Sequence, residues 1–186
     1  MKQKTVQTVS HTLAVLVNNE SGVLARVIGL FSARAYNIES LTVAEVNKEK
    51  GLSRITVITT GTPHVIAQIK NQLNRLVCVH GVADLTESGP VIEREIALFK
   101  IKATGENRIE ALRLADAFRA RAVDATHESF VFELTGNPTK LDAFSNLMKP
   151  LGLIDVSRAG VVAISRGSEA MEYHAQDTDF IIEKEN

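Results

Sequence analysis

At 186 residues the chain has room for two small domains or one medium one, and its 45% hydrophobic and 23% charged content fits a globular protein. Twenty-one basic against 22 acidic residues give a net charge of −1, which leaves no electrostatic footprint for nucleic acid. There is no signal-peptide pattern and no apolar run near the roughly 20 residues of a membrane helix, and the one cysteine, Cys78, excludes an intrachain disulfide and fits a reducing cytoplasm.

Residues 1–10 are polar and β-prone and read as a loose arm. Leu13 to Val17 is a continuous apolar run, the pattern of a central strand. The chain then turns through Asn19-Glu20-Ser21-Gly22 into a helix over Val23 to Arg34, with Val23, Leu24, Val27, Ile28 and Phe31 on one face. Such a turn aims backbone N–H groups near Ser21 to Leu24 along the positive end of a helix, where a carboxylate or phosphate is attracted. Gly22 has no side chain to hold a ligand off and tolerates unusual φ. Tyr36-Asn37-Ile38 leads into the second strand, and the sequence places Asn19 and Asn37 around one cavity. Their amides offer both donors and acceptors, which suits a small free amino acid. The plainer alternative is that Ser21 is an ordinary N-cap and Gly22 an ordinary turn glycine.

Ile38 to Val46 reads as strand two, Asn47 to Gly51 as a hairpin turn, and Leu52 to Thr60 as strand three. Leu41, Val43, Ile55 and Val57 are expected on an open apolar sheet face that another subunit covers. Thr62 and Pro63 start a second helix with Ile66, Ile69, Leu73 and Leu76 inward, and Val77 to Leu85 is strand four. Thr86 to Pro90 marks a boundary. The same order then repeats: a strand over Ile96 to Ala103, then a helix over Asn107 to Arg119. A hairpin follows (Ala122 to Thr126, Ser129 to Thr135), with Phe130, Phe132 and Leu134 on one face. Asn137-Pro138 opens a helix with Leu141, Phe144, Leu147 and Met148 inward, and strands over Leu153 to Ser157 and Val161 to Ile164 close the set. The second half lacks the Asn-x-x-Gly-x-Leu turn, so the halves are expected to share a fold but not a site. The expected domains are 11–86 and 96–167, with a linker at 87–95 and an acidic tail at 168–186.

No metal-ligand spacing joins His11, His64, His80, His127 or His174 to other ligand types, and no phosphate loop, nucleophile elbow or dinucleotide fingerprint is present. Catalytic and metal residues are therefore expected to be none.

The run GVLARVIGLFSARAYNIESLTVA, followed by LSRITV, resembles the regulatory (small) subunits of acetolactate synthase, and its turn resembles an ACT domain. The resemblance returns at IEREIALFKI and SRAGVVAISRG and spans about His11 to Gly167. It implies an α+β chain of two ferredoxin-like βαββαβ domains in tandem, the first an ACT domain. It further implies a cytoplasmic regulatory subunit without a catalytic site or a cofactor of its own. Its partner is a separate catalytic (large) subunit using thiamine diphosphate, magnesium and FAD, which this chain activates and makes sensitive to valine. Effector contacts map onto Asn19, Gly22 and Asn37, with Ser21, Val23, Leu24 and Ile38 beside them, at the interface of an ACT homodimer. Two other classes stay open on the residues alone: an ACT-type sensor for another target, and a stand-alone enzyme on the same fold.

Overall fold

The computed structural model describes residues 8–168. These residues divide into two compact units, one of 8–91 together with 164–168, the other Ile92–Ala163. The second unit was expected to run to Gly167, and residues 169–186 of the expected acidic tail lie outside the described residues.

The first unit contains β1 (Val9–Asn18), α1 (Val23–Ala33), β2 (Ser40–Asn47), β3 (Leu52–Gly61), α2 (Pro63–Leu73) and β4 (Val79–Asp84). Its strands lie in the order β2-β3-β1-β4, all neighbours antiparallel. The apolar run of β1 is central because it is paired on both sides. Its ladder with β3 continues from Asn18↔Leu52 up to Val9↔Gly61, so Val9 and Ser10 belong to the sheet and not to a loose arm. Thr62 caps α2 through its side-chain oxygen, which accepts the Val65 N–H at 3.3 Å, with Pro63 in the first turn as its fixed φ favours. The core is Leu13, Val15 and Val17 against Val27 and Phe31 of α1 and Ile66, Ile69 and Leu73 of α2.

The register settles which face of β3 is inner. Ile55 and Val57 pair with Val15 and Leu13 and are fully buried in the core beneath the helices. They do not line an open apolar face, and Leu41 packs against the same core, while Val43 is 47% exposed on the edge strand. Both phases of β3 carry apolar residues, so alternation alone did not choose between them. Val77 stands 98% exposed before β4 begins, and Cys78 beside it is buried.

After β4 come β5 (Val91–Lys102), α3 (Gly105–Phe118), β6 (Arg121–Ala125), β7 (Ser129–Gly136), α4 (Pro138–Met148), a 3-10 turn (Lys149–Leu151), β8 (Leu153–Arg158) and β9 (Val162–Ser165), which make up the second unit but for the outer ends of β5 and β9. The order β6-β7-β5-β8 repeats that of the first sheet, with β9 also pairing β5. The chain is thus α+β, a tandem of βαββαβ units. β5 begins at Val91, inside the expected linker. Asn137 caps α4 by accepting the Lys140 N–H at 2.9 Å. Phe99, Phe132 and Phe144 fill the core with edge-on ring contacts, which contribute beyond their buried area. Leu147 of the predicted inner stripe is 44% exposed instead.

Candidate functional site

The turn between β1 and α1 is held from two directions. The Asn18 N–H donates to the Cys78 carbonyl at 3.0 Å, and the Asn19 N–H donates to the Gly51 carbonyl at 2.7 Å. Side chains add to this: Asn18 Nδ2 donates to Glu20 Oε1 at 3.0 Å, and the His80 Nε2 meets Asn18 Oδ1. Asn19 points the other way, its Nδ2 donating to Glu45 Oε1 of β2 at 3.0 Å.

Gly22, not Ser21, is the N-cap of α1. It sits at φ 85, in the left-handed region that only glycine adopts freely, and no side chain caps the helix. A Cβ at Gly22 would meet nothing within 4 Å, so the turn opens outward. The first turn of α1 carries no acidic residue. The leading N–H groups of a helix have no intrahelical partners, and the field there favours an anion. In the second unit α3 also begins at a left-handed glycine, Gly105, but Glu106 brings an acid into its first turn. The two helix starts therefore differ in charge as well as in sequence.

Val23 is buried, with its N–H donating to the Glu20 carbonyl at 3.3 Å, and Leu24 packs against the core, so neither offers a ligand its side chain. Asn37 lies elsewhere. Its carbonyl accepts the Thr59 hydroxyl at 2.6 Å, and Glu39 N–H donates to the Ile58 carbonyl at 2.8 Å, which places this loop at the far end of β3. Ile38 packs against the core there. The 11 residues of α1, at about 1.5 Å each, separate Gly22 from this loop by roughly 16 Å. Within one chain, Asn19 and Asn37 do not share a cavity, contrary to the expectation from sequence. The helix between them was legible, but its length keeps its two ends apart. Glu45 was missed. The available signal was the hairpin register that sets it opposite Ser53, beside the end of β1.

The scattered histidines also look different in the fold. His11 Nδ1 lies 2.9 Å from Asp84 Oδ2, with Glu87 adjacent, giving three potential metal donors in one group. The Lys70 ammonium already stands 2.7 Å from Glu87 Oε2 and 3.9 Å from Asp84 Oδ2. The carboxylates therefore have a cation supplied by the chain itself. Among the described residues no helix is long and apolar enough to cross a membrane.

Known proteins agree with this architecture. A family profile described as an acetohydroxyacid synthase small subunit-like ACT domain matches residues 13–81, and one described as the small subunit of acetolactate synthase matches residues 94–167. The acetolactate synthase small subunit of Haemophilus influenzae is 47% identical over 158 residues, covering 84% of this chain and 96% of that protein. The probable acetolactate synthase small subunit of Archaeoglobus fulgidus is 45% identical over 159 residues, covering 86% of this chain and 98% of that one. The crystal structure of the acetolactate synthase small subunit from Thermotoga maritima superposes with a TM-score of 0.77 at 35% identity, covering 87% of this chain and 99% of that chain. With whole-length relatives at this identity, and an ACT domain where the glycine turn lies, the chain belongs to the family of regulatory small subunits of acetolactate synthase.

Proposed function

We propose that the chain binds valine at the β1–α1 turn and thereby controls a separate acetolactate synthase catalytic subunit, which it also activates, in branched-chain amino acid biosynthesis. Thiamine diphosphate, magnesium and FAD then belong to the catalytic subunit, and the complex works in the cytoplasm. The observation that carries the reading is the placement of Asn19 and Gly22 at one end of α1 and of Asn37 at the other, with the edge strand β2 between them. An edge strand is a template for pairing. If β2 pairs antiparallel with β2 of a second copy about a two-fold axis, the start of one strand lies against the end of the other. Asn37 of the second copy then approaches Asn19 and Gly22 of the first, and two equivalent sites form, as isologous symmetry requires. Val43 and Val46, 47% and 54% exposed on β2, become covered in that arrangement. A carboxylate takes the uncapped N-terminus of α1, and the amides of Asn19 and Asn37 close round the rest of the zwitterion.

Selectivity among branched-chain amino acids is modest in this reading, since one methylene is worth about 0.8 kcal/mol. The first unit carries effector binding. The second unit, which repeats the fold with an acid at the corresponding helix start, serves activation and transmission to the catalytic subunit.

Complementation between variants tests the shared site. Asn19→Ala and Asn37→Ala chains, each weak in valine binding alone, are mixed and allowed to exchange. Random pairing makes half the dimers mixed, each with one native site, so calorimetry recovers about a quarter of the wild-type sites. No recovery, with exchange verified by tagged chains, refutes the two-chain site. Adding the mixtures to the catalytic subunit then reads whether the recovered sites restore valine inhibition.

A further inference from the structure

We propose that Glu45 is the residue that binds the α-ammonium of the effector, and so makes the site selective for amino acids over carboxylic acids of the same skeleton. This rests on the amino-acid reading of the β1–α1 turn given above. A zwitterion carries its two charges one carbon apart. The uncapped start of α1, free of acids in its first turn, supplies the positive half of a complementary site. The ammonium needs acceptors close by, because charged donors left without partners on leaving water are costly.

Glu45 stands where that acceptor is needed. Its cross-strand partner is Ser53, two residues before Ile55, and Val43 pairs with Ile55 itself. The alternation of β2 thus turns Glu45 to the face on which α1 and α2 lie. There it reaches Asn19, three residues before Gly22, at 3.0 Å. That is the one hydrogen bond of its side chain among the described residues, and the residue is exposed. It serves no buried network. The other nearby acid, Glu20, is turned toward Asn18, which His80 also contacts. Glu20 therefore belongs to the bracing of the turn. The Asn19–Glu45 bond has a second effect. With Nδ2 committed to Glu45, the Asn19 Oδ1 is presented as a further acceptor for the same ammonium. A carboxylate and an amide oxygen then meet the cation while backbone N–H groups meet the anion.

Calorimetry on the full chain decides the matter with two ligands, valine and 3-methylbutanoate, which has the same side chain and carboxylate but no ammonium. The wild type prefers valine strongly. Glu45→Gln lowers valine affinity at least tenfold and leaves 3-methylbutanoate unchanged or tighter, so the preference collapses. Glu20→Gln keeps it. Thermal unfolding shows that Glu45→Gln leaves the fold intact. Retained preference in Glu45→Gln overturns the proposal, as does an equal weakening of both ligands, which marks a structural role only. Gly22→Asp separates the two levels: if it abolishes valine binding while Glu45→Gln does not, the site stands and the role of Glu45 falls. If neither variant affects valine, the turn is not the effector site, and both readings fall.

Discussion

His11 Nδ1 and Asp84 Oδ2 lie 2.9 Å apart, joining the start of β1 to the end of β4 across 73 positions of sequence. Asp84 is only 5% exposed, and its other oxygen accepts the Thr86 and Glu87 N–H groups at 3.1 and 3.4 Å. One carboxylate therefore fixes the exit of the first unit. Replacing it strands His11 and the Thr86 N–H together. Asp84→Ala is expected to cost about 1–3 kcal/mol, measured by urea unfolding at neutral pH, and a loss within error would show that the junction is held by its backbone alone.

Glu87, above this pair, gives a pH-dependent contribution. The hydrogen bond from Lys70 holds its carboxyl below the ordinary glutamate value; burial opposes this, and the charges of Lys70 and His11 add to it. Because the folded-state pKa is depressed, the stabilisation is present above the unfolded value and is lost as pH falls through the folded one. Glu87 is 58% exposed, so water screens most of it, and a few tenths of a kcal/mol are expected. The gap in urea midpoint between wild type and Glu87→Gln should be present at pH 7 and close at pH values below about 4. A gap that widens in acid would reverse the sign assigned here.

Gly22→Asp and Gly22→Ala separate strain from charge. No side chain is met in space, but either residue is forced to φ 85, at a cost of about 1–2 kcal/mol. Thermal denaturation should find both variants destabilised alike, the aspartate slightly less because acids are favoured at a helix start by about 0.3–1 kcal/mol. Only the aspartate adds a like charge where the proposed site would take the effector carboxylate. Valine affinity should fall at least tenfold, about 1.4 kcal/mol, in Gly22→Asp and clearly less in Gly22→Ala. Activation of the catalytic subunit should survive in both.

Asn37→Ala tests a position where fold and function separate. The exposed residue holds its loop through its carbonyl, which accepts from Thr59 and is kept in the variant. Stability should change by less than about 0.5 kcal/mol, while valine affinity falls several-fold, less than in Gly22→Asp. Calorimetry paired with thermal melts reads both. A large loss of stability would mean that the amide props the loop.

Gly152→Ala probes the second unit. Gly152 sits at φ 104, and a Cβ there would stand 2.1 Å from the Lys102 carbonyl oxygen. The same backbone carries the bond from Lys102 N–H to the Gly152 carbonyl at 2.8 Å, just before β8. Left-handed strain alone costs about 1–2 kcal/mol, and the clash forces β8 from β5, so the chemical unfolding midpoint should fall by more than for Gly22→Ala. Valine binding should persist if it belongs to the first unit.

The kind and order of the elements were legible before any fold was known, because they are written in local chemistry. The 3.6-residue stripes of α1 and α2, the Thr62-Pro63 and Asn137-Pro138 helix starts, and the alternation of Phe130, Phe132 and Leu134 all appear in the fold where periodicity and capping put them. Pairing was not local. That Val9 extends β1, that Ile55 and Val57 face the helices, and that β5 starts at Val91 depend on partners far away in sequence, such as Gly61 for Val9, Val15 for Ile55 and β9 for the start of β5. The site shows the same division. The Asn-Glu-Ser-Gly turn announced a helix start with backbone N–H groups aimed along its positive end, since that is a property of a few consecutive residues, but it left open whether Ser21 caps that start, which the fold decided at Gly22. Whether Asn37 shares it was decided by the length of α1, which sets the two amides at opposite ends of the unit. Glu45 joined the turn only through the β2–β3 register, a distance no motif records.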